Sequence, residues 1–232
     1  MKTVKKILSD LNEIANPEYI EKMEYFGIVS TEALGIKNAI LKPYAKNIGR
    51  NQLLAEELWD VKIHEAKLLS ISLCEPKKLT AKKAEQWVSE IYSWDICDGL
   101  GMKVFPKTTF GLKKAIEWTT REPEFEKRVG FATMVGIVLD RKVPDETIEA
   151  FFPIMEREAW DERNFVKKAI NWTLRQAGKR NLSLNKKAIA CAERVLAQDT
   201  KAARWIANDA LRELKSDLIQ ERLMKKGKKR AD

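Results

Sequence analysis

DERNFVKKAINWTLRQAGKRN, residues Asp161 to Asn181, is the stretch on which the fold turns. Val166, Ile170, Thr173, Leu174 and Ala177 recur at the 3.6-residue period and make one core-facing side of a helix. The opposite side gathers Lys168, Trp172, Arg175 and Lys179 within roughly a 60° arc. Burying a large apolar side chain is worth about 1.5–3 kcal/mol, so a tryptophan in an outward basic stripe needs a reason. Either Trp172 packs on a neighbouring helix among solvated cations, or the stripe meets nucleic acid. In the second case cations would take phosphate and the aromatic would take sugar or base.

The rest of the chain reads the same way. Helices are expected over 3–15, 18–26, 34–48 (with Pro43 bending or interrupting it), 51–60, 61–75, 81–92, from Trp94 to before Pro106, and over 108–121. Further helices are expected from Pro123 to Arg141 and over 144–158, 161–179, 184–198, 200–215 and 216–226. Thr80 and Ser93 stand where N-caps belong. No alternating apolar–polar run bounded by hairpin turn residues occurs, so the fold class is all-α.

Four segments share a polar start and an Ala-rich apolar core: HEAKLLSIS (64–72), EKRVGFATM (126–134), VKKAINWTL (166–174) and AARWIANDAL (202–211). WDICDGLG (94–101) is a weaker fifth. Taking Ala66, Cys97, Val129, Ala169 and Ile206 as markers, the steps are 31, 32, 40 and 37 residues. Irregular steps of this size, two helices each, are those of HEAT-like arrays, in which helix pairs stack into a curved α-α superhelix to bury faces that no single pair can cover. Val129–Leu139 carries no formal charge, as expected of a helix enclosed on every side, with Arg128 held at its rim. One such domain is expected over residues 1–224, followed by a basic tail, 225–232.

Composition agrees with a folded helical protein: 44% apolar and 33% charged residues, with 10 Gly and 7 Pro in 232. Lys and Arg number 43 against 34 Asp and Glu, a formal charge of +9, which favours a polyanionic partner. Cys74, Cys97 and Cys191 are odd in number and far apart, so they read as small core residues of a reducing compartment. No signal peptide or membrane-length apolar run appears, and a cytoplasmic monomer is expected. His64 is the sole histidine, which leaves no His-cluster metal site. Neither a GxSxG elbow, a Walker A run nor a GxGxxG is present. His64 is expected in a structural hydrogen bond, and chemistry would fall to a carboxylate. Asp98 is the candidate. In SWDICD (93–98) Trp94 and Asp98 lie four apart on one helical face, although read alone Asp98 reads as a surface or capping acid.

Taken together, Trp94-x-x-x-Asp98, Arg128 in its KR-plus-apolar helix, and Lys168-Ala169-Ile170-Asn171-Trp172-x-Leu174-Arg175 resemble the AlkD family of DNA alkylation repair enzymes. These are HEAT-like-repeat DNA glycosylases, and the resemblance runs from about Gly35 to residue 180. It implies that Asp98 is the catalytic carboxylate. Trp94 and Trp172 would pack on the deoxyribose and backbone beside the lesion, and Arg128 would support Asp98 and the backbone. Lys168, Arg175, Lys179 and Arg180 would bind duplex DNA. It also implies hydrolysis of the N-glycosidic bond of cationic 3- and 7-alkylpurines, with no metal or cofactor. Ser93 and Phe125 stand where many members carry tryptophan. Two other functions suit the same residues: a DNA-binding module without chemistry that prefers distorted or branched duplexes, and a helical-repeat scaffold for a protein partner.

Overall fold

The computed structural model describes residues 2–30 and 32–231, with side chains described as far as residue 225. Most of the expected basic tail therefore lies outside the described side chains. Among the described residues there are fifteen α-helices, one 3-10 turn and no strand. The chain divides into two compact units, residues 1–111 and 112–232.

The first unit holds α1 (Val4–Glu13), α2 (Glu18–Tyr25), α3 (Asn38–Ile48), α4 (Gln52–Trp59), α5 (His64–Leu73), α6 (Ala81–Ser89) and α7 (Trp94–Lys103), then the 3-10 turn Phe105–Lys107. α4 pairs with α5, and both α3 and α7 pack on α5. Thr80 caps α6 as expected, its hydroxyl accepting from the Lys83 N–H at 3.2 Å. α3 starts four residues later than the sequence suggests and runs through Pro43. Its late start has a local cause. Gly35 sits at φ +73°, and a Cβ there would lie 2.0 Å from the Asn16 carbonyl oxygen. The fully buried Glu65 carboxylate then accepts from the Leu34 and Ile36 N–H groups at 2.9 and 3.0 Å, fixing this turn on α5.

The second unit holds α8 (Gly111–Trp118), α9 (Glu124–Leu139), α10 (Asp145–Glu149), α11 (Phe152–Glu158), α12 (Asn164–Gly178), α13 (Leu182–Leu196), α14 (Lys201–Leu214) and α15 (Asp217–Ala231). α9, α12 and α14 pack side by side, while α11 and α13 form the layer against them. This two-layer stacking of helix pairs is the repeat logic read from the sequence. All five marker residues, Ala66, Cys97, Val129, Ala169 and Ile206, are fully buried. So are Val166, Ile170, Thr173, Leu174 and Ala177 of α12. The expected single helix over 144–158 is two, because Pro153 has no N–H to offer the Glu149 carbonyl and its ring crowds the preceding turn.

α9 is enclosed as its sequence implies, with Val129 to Val135 buried throughout. Gly130 is what lets it approach α8: a Cβ there would stand 2.7 Å from the Thr119 nitrogen and 2.8 Å from the Ala115 oxygen. Both are backbone atoms that cannot swing aside. Gly130→Ala should therefore cost about 1–3 kcal/mol through overpacking, read as a lowered thermal midpoint, whereas an unchanged midpoint would mean that the helices separate freely.

A buried ion cluster ties the start of α9 to the α11–α12 connection. Lys127, 4% exposed, places Nζ 2.6 Å from Glu158 Oε2 and 3.0 Å from Asp161 Oδ2. Arg163 bonds the same Asp161 carboxylate, with Nη2 2.5 Å from Oδ2. Burial alone would raise the Asp161 pKa, but hydrogen bonds from Arg163 and Lys127 outweigh it and hold the carboxyl at about 2. The folded pKa lies below the unfolded value, so this contribution is complete above about pH 4 and is lost as pH falls towards 2. It amounts to roughly 2 kcal/mol. Asp161→Asn should flatten the acid limb of the stability curve between pH 4 and 2, and a limb of unchanged slope would assign acid sensitivity elsewhere.

Cys74, Cys97 and Cys191 are buried and form no disulfide with one another, as expected. Burial pushes the Cys74 thiol up to about 12 and the Cys191 thiol higher still, so neither is a nucleophile.

Candidate functional site

In the first unit, α7 carries both Trp94 and Asp98, one turn apart and each half-buried. Its first turn is held by a network around the sole histidine. The fully buried His64 places Nδ1 3.0 Å from the Tyr92 hydroxyl and Nε2 2.9 Å from Asp95 Oδ2. Ser93 Oγ donates to Asp95 Oδ1. Ser93 therefore does not cap α7 with its side chain, as the sequence suggests; its hydroxyl orients the adjacent acid instead. Burial would raise the Asp95 pKa, but His64, Ser93 and the Ile96 N–H overcome it and keep the carboxyl below its usual range. Burial also raises the Tyr92 hydroxyl to about 12. His64 thus has the structural role expected of it: it fixes the backbone from which Trp94 projects. The Trp94 indole N–H donates to the Phe26 carbonyl at 2.9 Å, which pins the ring at one edge and leaves the rest partly open. Phe26 escapes sequence reading because it lies 68 residues away.

In the second unit, Arg128 is 6% exposed, and its Nη1 donates to the Phe165 carbonyl at 2.7 Å. Its guanidinium lies 5.9 Å from the Phe165 ring centroid, and Phe125 meets the same ring at 5.3 Å. Phe125 therefore supplies an aromatic wall beside Phe165. Arg128 is rigidly placed between α9 and the first turn of α12, bound to its helix neighbour. Trp172 on α12 is half-buried and Lys168 exposed. The Lys168 ammonium has no partner among the described residues.

The remainder of the α12 stripe is not a bare cationic face. Arg175 Nη1 lies 2.5 Å from Glu213 Oε2, and Lys179 Nζ lies 2.6 Å from Glu213 Oε1. Burial pushes the Glu213 pKa up, but bonds from Lys179 and Arg175 reverse this and hold it below the usual carboxylate range. Arg180 stands apart from the stripe. Its Nη1 donates to the Val138 and Asp140 carbonyls, each at 2.7 Å, and its Nε to Asp145 Oδ1 at 3.0 Å. The guanidinium staples the loop after α9 and has little left to offer a phosphate. The residues expected from the sequence thus form two groups, Trp94 with Asp98 in one unit and Arg128, Lys168, Trp172, Arg175 and Lys179 in the other.

Among the described residues no group of three or more His, Cys, Asp or Glu side chains could hold a metal ion, and no helix is long and apolar enough to cross a membrane. No curated protein matches the chain. Among solved structures, the chain is similar to one from "a new family of proteins related to the HEAT-like repeat DNA glycosylases with affinity for branched DNA structures". The TM-score is 0.77 at 18% identity, over 96% of each chain. This likeness gives the fold, an all-helical HEAT-like repeat. The family model described as DNA alkylation repair enzyme matches residues 7–214, nearly the whole sequence, and the chain belongs to that family.

Proposed function

We propose that this protein is a DNA glycosylase that hydrolyses the N-glycosidic bond of cationic alkylated purines such as 3-methyladenine and 7-methylguanine in duplex DNA. One observation carries the reading: a half-exposed carboxylate, Asp98, stands one helical turn from the half-exposed, edge-anchored indole of Trp94, in a chain of the DNA alkylation repair enzyme family.

The chemistry asks little of the protein. An alkyl group on N3 or N7 already makes the purine cationic, so the leaving group needs no general acid. What remains is to stabilise an oxocarbenium-like sugar and to orient water. A carboxylate beside C1′ serves both needs, by electrostatic attraction and by general-base help. An aromatic face against the sugar adds attraction to its developing positive charge. In this reading Asp98 takes the first role and Trp94 and Trp172 the second. Arg128 is a positioning residue for the DNA backbone, and Lys168, with the Arg175–Lys179–Glu213 cluster, meets phosphate.

A second reading is favoured by two observations. The solved relative belongs to a family with affinity for branched DNA, and two cations of the α12 stripe share the Glu213 carboxylate. In that reading the protein binds distorted or branched DNA without breaking a bond. Release of 7-methylguanine and 3-methyladenine from methylated duplex by the wild-type protein decides between them. Tight binding of junction DNA with no base released would select the second reading and reject the first.

A further inference from the structure

Beyond the candidate catalytic residues, the second unit has a cleft of about 340 Å³ near the C-terminal ends of α9 and α12. Its polar lining is Gln176, Lys179, Arg180, Arg141 and Arg222, and no carboxylate side chain lines it. Lys179 and Arg180 are already paired, with Glu213 and with Asp145 and the loop carbonyls. Arg141 and Arg222 differ: both are exposed, and neither guanidinium has a partner among the described residues. Like charges brought to one cleft repel unless an anion enters. A carbonyl-rich helix end would normally discourage an anion, but here Arg180 satisfies the Val138 and Asp140 carbonyls at the end of α9. Two open guanidinium forks are well suited to the oxygens of a phosphate.

We propose that this cleft is a phosphate site that grips the DNA backbone through Arg141 and Arg222, apart from the residues assigned to the chemistry. Measured along α9, it lies eleven residues beyond Arg128, about 16 Å of helix rise. The site rests on DNA being the partner, as proposed above, and not on base release. It adds Arg141 and Arg222 to the DNA-contacting set and makes the Arg180 staple a part of its wall.

The test is duplex binding by fluorescence anisotropy across a salt series. Each phosphate contact contributes about 0.9 to the slope of log affinity against log salt. Because the two guanidiniums share one phosphate, Arg141→Ala/Arg222→Ala should make that slope shallower by about 0.9. Arg141→Lys/Arg222→Lys, which keeps the charges, should retain it. Lys82→Ala/Lys113→Ala, which removes the same charge elsewhere, should leave it unchanged. A slope unaltered in the arginine-to-alanine variant, or altered equally by the control pair, overturns the proposal. Thermal stabilisation by inorganic phosphate, lost in the alanine variant while the DNA slope stays intact, would assign the cleft to a small free phosphate and overturn the backbone assignment. Failure of the wild-type protein to release base would reject the glycosylase reading and leave the salt-slope result standing.

Discussion

Asp98→Asn should abolish most base release, by roughly 10²–10⁴-fold under single-turnover conditions. The substitution keeps the shape of the side chain and removes only its charge. A unit charge about 4 Å from a cationic sugar is worth on the order of 4 kcal/mol at the effective dielectric of a protein surface, about a thousandfold in rate. Because Asp98 is half-exposed on α7, the folded state should survive with a thermal midpoint close to wild type, and duplex affinity should hold or rise as a negative charge leaves the DNA-facing surface. Equal release by Asp98→Asn and wild type would remove Asp98 from the mechanism. A collapse of the thermal midpoint would instead make it a structural acid of α7.

The largest stability effect is expected at Lys127. Its ammonium is almost wholly buried, serves Glu158 and Asp161 together, and lies 4.8 Å from the Trp160 ring centroid. Lys127→Ala leaves two buried carboxylates with one cation fewer, Asp161 keeping Arg163 and Glu158 keeping Arg157 at 2.6 Å. Breaking a buried pair from one side costs about 3–5 kcal/mol, a large share of the roughly 5–15 kcal/mol that holds a domain together. Urea unfolding should show the loss at pH 7. It should shrink as pH falls below 4, because acid removes the Asp161 contribution from wild type. A loss under about 1 kcal/mol, or one that does not change with pH, would mean that water reaches the cluster.

The candidate site was legible to different depths in its parts. Trp94 and Asp98 could be placed on one face because i and i+4 fix that relation within a single helix. Arg128 was correctly set at the rim of an enclosed helix, but its acceptor, the Phe165 carbonyl, lies 37 residues on. The α12 stripe reads as cationic from its own spacing. The acid that pairs with two of its cations, Glu213, belongs to α14, 38 residues beyond Arg175 and 34 beyond Lys179. Arg180 looked like one more surface cation, yet its carbonyl partners sit 40 and 42 residues upstream.

By itself, then, the sequence determined the helices, their buried faces and the repeat that stacks them, because the 3.6-residue period, the caps and the prolines act within a few residues of one another. Pro153 is the local signal that the expected 144–158 helix overlooked. Only the tertiary structure decided which charges stay open and which are matched. An ion pair or a side-chain-to-carbonyl bond depends on distance in space, and packing helices of different repeats brings together groups that no short-range periodicity relates.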